Sequence, residues 1–219
     1  LYDGLNKDRE NVGEIFGERY SKFVRLENEV RYRYDFNRDV SWANRAIVGV
    51  GIPFGDSYFL PFVNQFFVGG NNSLRAFRAR GVGPGTHTTE GKGTAEKFLA
   101  TNTGDIKIEF NTELRYKLNS LLSTALFVDA GNVWMFKDAF IYDEGAIFSK
   151  NFMKEMAVGG GVGFRLDFSI FIFRVDIATP FRKPWLEESE RWVFDQINLK
   201  SKDWRRENII WNFAVGLPF

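Results

Sequence analysis

The chain has 219 residues and a mass of 25.3 kDa, room for one large all-β domain or two small ones, and its 44% hydrophobic and 26% charged residues exclude a disordered polypeptide. Twenty-nine basic residues against 28 acidic ones leave a net charge of +1, too weak a field to hold a polyanion, so no nucleic-acid partner is expected. With no cysteine and a single histidine, His87, thiol nucleophiles, cysteine-rich zinc sites and multi-histidine metal sites are excluded; no cofactor or metal is called for, and the chain does not read as an enzyme.

Aromatics at 17%, led by 24 Phe, together with 21 Gly, favour strands and tight turns over helices. No run of about 18 apolar residues supplies a membrane-spanning helix. Leu1 opens without the basic and apolar regions of a signal peptide and reads as an internal start.

The first clear element covers 20–36. Its even positions, Tyr20, Lys22, Val24, Leu26, Asn28, Val30, Tyr32, Tyr34 and Phe36, are mostly apolar; its odd positions carry Arg25, Glu27, Glu29, Arg31, Arg33 and Asp35. Side chains alternate across a strand with period two, so this is one long strand between two opposed environments. A short connection at 37–39 leads to a second strand, 40–54, and a long glycine-bearing segment, 55–103, follows. The strand at 104–118 repeats the opposition: Ile106, Ile108, Phe110, Thr112, Leu114, Tyr116 and Leu118 face one way, and Asp105, Lys107, Glu109, Glu113, Arg115 and Lys117 the other. After a turn at 119–120 come strands at 121–136 and 152–168, a turn at Ser169, and strands at 170–181 and 204–219.

These seven strands are joined alternately by short turns (37–39, 119–120, 169) and long loops (55–103, 137–151, 182–203), so consecutive hairpins turn tightly at one end of the sheet and loop widely at the other. A soluble sandwich also has one apolar face, and alternation alone does not separate the two cases. Strands of 12–17 residues are long for a soluble sheet and suit a tilted membrane crossing of about 9–11 residues with overhang. Tyr32, Tyr34, Phe36, Trp42, Trp134, Phe136, Trp204 and Trp211 would then supply interfacial aromatics. In the last strand Trp211, Phe213, Val215, Leu217 and Phe219 share one face. The expected fold class is therefore all-β, an antiparallel transmembrane barrel in contact with lipid. A passive porin-like channel or a soluble ligand-binding barrel remains open on the pattern.

Within 55–103 stand Phe66-Phe67-Val68-Gly69-Gly70-Asn71-Asn72-Ser73-Leu74-Arg75-Ala76-Phe77 and Gly81-Val82-Gly83-Pro84-Gly85, followed later by Ile108-Glu109-Phe110 and Phe127-Val128-Asp129-Ala130-Gly131-Asn132-Val133-Trp134. In that order the segments resemble the outer-membrane protein assembly superfamily of the BamA/TamA type, over about 20–219. The departure is Ala76, where the common family pattern has glycine.

The resemblance implies a sixteen-stranded outer-membrane barrel of which 1–219 is the C-terminal part, with N-terminal strands and client-receiving periplasmic domains supplied elsewhere. It implies client outer-membrane or exported proteins as partners, a lumen loop marked by Gly69, Gly70, Leu74, Arg75, Ala76, Phe77, Gly83 and Pro84, and an Arg75 that meets Glu109 and Asp129. The set Trp211, Phe213, Val215, Leu217 and Phe219 is similar to the family's C-terminal strand signal. A loop in a wet lumen is expected to gain little apolar burial, so the ion contact would be its tether.

Three lesser readings complete the pass. Gly159-Gly160-Gly161-Val162-Gly163 lies in a strand without the lysine or helix of a phosphate loop and is expected to ease curvature or close packing. His87 is expected to be solvated, and Glu187–Arg191, between Trp185 and Trp192, to form a short amphipathic helix.

Overall fold

The alternation resolves into a single meander of strands. The computed structural model describes residues 21–55, 57, 60–87, 102–136 and 144–219, with the backbone of 14–15 and 18–19. Leu1, Tyr20 and the part of the 55–103 loop at 88–101 lie outside the described residues.

Strands β1 (Glu14–Ile15) and β2 (Glu18–Arg19) pair as a small ribbon. Seven strands form the sheet: β3 (Phe23–Asp35), β4 (Val40–Pro53), β5 (Ile106–Lys117), β6 (Leu122–Trp134), β7 (Ala157–Asp167), β8 (Ile172–Arg182) and β9 (Ile210–Val215). Each pairs antiparallel with its neighbour in sequence, in the order β3-β4-β5-β6-β7-β8-β9.

The tight turns close for a local reason. Asn37 Oδ1 accepts from the N–H groups of Asp39 and Val40, Asn119 Oδ1 from those of Leu121 and Leu122, and Asp167 Oδ1 from that of Ser169. An Asn or Asp side chain that bonds the backbone two residues on mimics a turn, which is why these residues punctuate the sequence. The one register shift, between Val158 and Gly159 against β8, falls at Pro180, which has no N–H to give to the ladder.

The two faces differ as the alternation requires. Leu26, Val30, Phe110, Leu114, Leu126, Phe164, Trp211 and Phe213 stand exposed on the outer face. β3 is exposed on both faces, but from β4 onward residues 60–87 lie over the other face, and the sequence expectation of little apolar burial there is corrected. Phe66, Val68, Leu74, Ala76, Phe77 and Val82 of the loop form one buried cluster with Phe127, Val133, Ala157 and Ala178 of the wall. Their sockets are glycines: Leu74 lies over Gly131, Ala76 over Gly159 and the Phe66 ring over Gly49. Within the glycine-rich run of β7, Gly159 serves close packing of the loop, while Gly160 and Gly161 lie tight against the neighbouring strands.

Five further expectations are corrected. The 204–219 strand is only Ile210–Val215, because residues Lys202–Asn208 form helix α1. The Ser201 side chain caps it by accepting from Trp204 N–H at 3.2 Å, with Asp203 in its first turn and Arg205 and Arg206 in its last. Trp134 is wholly buried, its ring edge-on to Phe148 and Phe152 and its Nε1 donating to Glu155, so it is no interfacial aromatic. Glu187–Arg191 forms turns rather than a helix, with Arg191 Nε donating to the Leu186 carbonyl. His87 is buried, its N–H donating to the Pro84 carbonyl. Residues 152–155, read as strand, form a 3₁₀ turn.

A Cβ at Gly159 would run into the Ala76 methyl. Gly159→Ala should therefore lift the loop and cost about 1–3 kcal/mol, as overpacking does, and Ala76→Gly in the same chain should restore most of it. Protease cleavage within 60–87 in folded protein checks both.

Candidate functional site

The loop reaches its site through backbone that few residues adopt. Gly69 and Gly70 sit at φ 100° and 95°, and Gly83 at φ 92°, all in the region that favours glycine. A Cβ at Gly69 would also strike the Arg78 carbonyl. These positions turn the chain so that Leu74, Arg75, Ala76 and Phe77 lie buried in succession, with Phe77 edge-on to Trp185 and Pro84 buried beyond them.

Arg75 is 1% exposed and points at the wall. Its Nε donates to Asp129 Oδ2 and its NH2 to Asp129 Oδ1, both at 2.9 Å, a bidentate fork. Its backbone N–H donates to the same Asp129 Oδ2 at 3.0 Å. NH1 donates to Glu113 Oε2 at 2.6 Å and lies 3.7 Å from Asp176 Oδ2. The guanidinium carbon stands 3.5 Å from the centre of the Phe127 ring. Burial alone would lower the Arg75 pKa; the charges of Asp129, Glu113 and Asp176 outweigh it and hold the guanidinium well above its ordinary range.

The expected contact between Arg75 and Glu109 is replaced by one with Glu113. Glu109 is buried on the same face, but Arg45 NH2 donates to its Oε1 at 2.6 Å and Ser73 Oγ to its Oε2 at 2.7 Å. Its contact with the loop is this bond from Ser73. Glu113 lies four residues further along the same face of β5, next to the ring that Arg75 covers.

Asn111, between the two acids, joins both halves of the site. Arg45, Asn111 and Asp129 are direct cross-strand partners on β4, β5 and β6. Asn111 Nδ2 donates to Asp129 Oδ1 and to the Ser73 carbonyl, while its Oδ1 accepts from Arg45 Nε. Further along, Arg165 pairs with Glu113 at 2.7 Å and Arg174 with Asp176 at 3.1 Å. Arg45, Asn111, Glu113, Arg165, Arg174 and Asp176 were not singled out as site residues from sequence. For Arg45, Glu113 and Asp176 the available signal is their place on the polar side of alternating strands.

The C-terminal set divides. Trp211, Phe213 and Val215 are exposed on the outer face of β9, and Leu217 is exposed past Gly216, at φ 93°, where the strand has ended. Phe219 leaves that face, correcting the expectation. Its ring lies 5.2 Å and 5.6 Å from the guanidinium carbons of Arg45 and Arg115, and its carbonyl accepts from Arg115 NH2 at 3.1 Å. The positive φ at Gly216 re-aims the last residues toward cations on the covered face.

A long-stranded antiparallel wall, apolar outside and ionic inside, with a loop folded onto its ionic face, defines the wall of a transmembrane β-barrel. The chain belongs to the Omp85 superfamily, whose domain matches residues 9–196. It is similar in fold to the crystal structure of BamA from Haemophilus ducreyi lacking POTRA domains 1-3, with 20% identity and a TM-score of 0.58 over 74% of this chain. The match spans 32% of that longer chain.

Removing the arginine leaves Asp129 without its cation and leaves Glu113 to Arg115 and Arg165; breaking a buried pair in this way costs about 3–5 kcal/mol. Arg75→Ala should expose 60–87 to protease and lower the unfolding midpoint, and Arg75→Lys, lacking the fork, should recover only part. Wild-type protection in Arg75→Ala would rule out the contact as a tether.

Proposed function

We propose that this chain is the C-terminal part of an outer-membrane assembly or translocation barrel, which inserts or exports client proteins through a lateral seam. In this reading the remaining strands of a sixteen-stranded barrel and its periplasmic domains complete the machine, and the outer face meets outer-membrane lipid. Residues 60–87 are the lumen loop, held by Arg75 on Asp129 and Glu113 with Glu109 acting through Ser73. The work is noncovalent: a client strand adds to the open edge of the seam strand, β9, by β-augmentation.

The observation that carries the reading is the weakness of the last pairing. β9 is matched to β8 at six positions, against thirteen between β3 and β4. It is bounded by α1 on one side and by Gly216 on the other. A short edge strand contributes few ladder bonds and parts most easily from a neighbour. The passive-channel alternative is less well supported, because the loop fills the covered face with a packed apolar cluster.

The test is a disulfide in the full-length protein between a cysteine in β9 and one in the first barrel strand. Oxidation should stop client insertion and reduction should restore it, read as the folded yield of a client barrel in liposomes. Undiminished insertion under oxidation would count against the seam.

A further inference from the structure

Asn71, at the tip of the loop, makes a contact that neither the Arg75 fork nor the apolar seat requires. Its Nδ2 donates to the main-chain carbonyl of Phe213 on β9 at 2.9 Å. The direction of that carbonyl follows from the register. Gly216 N–H donates to the Ile172 carbonyl, so 172 and 216 are a hydrogen-bonded pair, and such pairs recur at every second residue of an antiparallel ladder. Arg174 and Ala214, and Asp176 and Asn212, belong to that series; Val175 and Phe213 fall between. The N–H and C=O of Phe213 therefore point away from β8, toward the edge of β9 that carries no strand among the described residues.

The tip is held in place for this contact. Arg174 NH2 donates to the Asn71 carbonyl at 2.7 Å and to Asn72 Oδ1 at 2.8 Å, and Arg45 NH2 donates to the Asn72 carbonyl at 2.5 Å. One residue from Phe213, Asn212 Nδ2 donates to the Arg75 carbonyl at 2.9 Å, entirely buried. Adjacent residues of β9 are thus bonded to the loop, one through its edge and one through its covered face.

We propose that Asn71 is an edge cap: its amide occupies the carbonyl of Phe213 that an incoming extended strand must use, so strand addition to β9 requires the loop tip to withdraw. The inference rests on β9 being the strand to which clients add. The side-chain amide offers the same N–H geometry as a neighbouring backbone and satisfies the edge without extending the sheet. Arg174 and Asn212 then set how readily the cap lifts, since they fix the loop tip relative to β9.

The experiment uses the full-length protein in detergent micelles and a fluorescent peptide of the sequence 210–219 as the extended strand. Asn71→Ala and Asn71→Asp, the latter removing the donor at constant size, should each bind the peptide about three- to tenfold tighter than wild type, the equivalent of one net hydrogen bond no longer displaced. Protease protection of 60–87 should stay at the wild-type level in both. Equal affinities in wild type and Asn71→Ala overturn the edge cap and leave the seam standing. Peptide binding by none of the three proteins overturns the cap and the seam together. A gain accompanied by loop cleavage as extensive as in Arg75→Ala also overturns the cap, because release of the whole loop then explains it.

Discussion

The fork between Arg75 and Asp129 is the contact around which the covered face is organised. Asp129 spends both carboxylate oxygens on it and receives Asn111 besides, so the carboxylate is saturated without water. An unpaired carboxylate buried at that depth would be heavily penalised. The same arginine reaches Glu113 on β5 and approaches Asp176 on β8, which spreads one guanidinium over three strands of the wall. The fork and the Glu113 contact together fix where the loop sits along the wall, with Asp176 near enough to add its charge.

Holding the loop down and placing it are different tasks, and the magnitudes separate them. Fully burying an aliphatic or aromatic side chain is worth about 1.5–3 kcal/mol. Phe66, Val68, Leu74, Phe77 and Val82 together therefore contribute on the order of 10 kcal/mol, more than a single buried ion pair supplies net. Adhesion comes mainly from this apolar set and direction from the ions, since apolar contact is non-directional while a fork accepts one geometry. Ala76 shows the fit between them: its methyl fills the space over Gly159, so an extra carbon on the loop is matched by a missing one on the wall.

Much of the architecture was legible in the sequence because a strand wall between lipid and polar interior leaves a period-two record. The strands β3 to β8 follow the alternation, and Asn37, Asn119 and Asp167 mark the turns by their own hydrogen bonds. The alternation from Trp211 to Phe219 invites extension back to Trp204, but Trp204 falls on the opposite parity, and the Ser201 cap with the Asp203 to Arg206 charge order is the stronger, helical signal. Within the site Arg75 and Asp129 were readable from motif, but the choice between Glu109 and Glu113 was not. Both lie on one face of β5, and only the depth at which the loop seats decides which acid meets the guanidinium. The apolar seat was missed because its sockets are glycines, which leave no hydrophobic trace.

The meander order gives the Arg75 contacts a place in time. Each hairpin can form from residues adjacent in sequence, but Arg75 draws partners from β5, β6 and β8, the last a hundred residues downstream. Its carbonyl also waits for Asn212 on β9. The complete set of bonds exists only once every strand from β5 onward has docked, so the arginine reports that this stretch of the wall is finished.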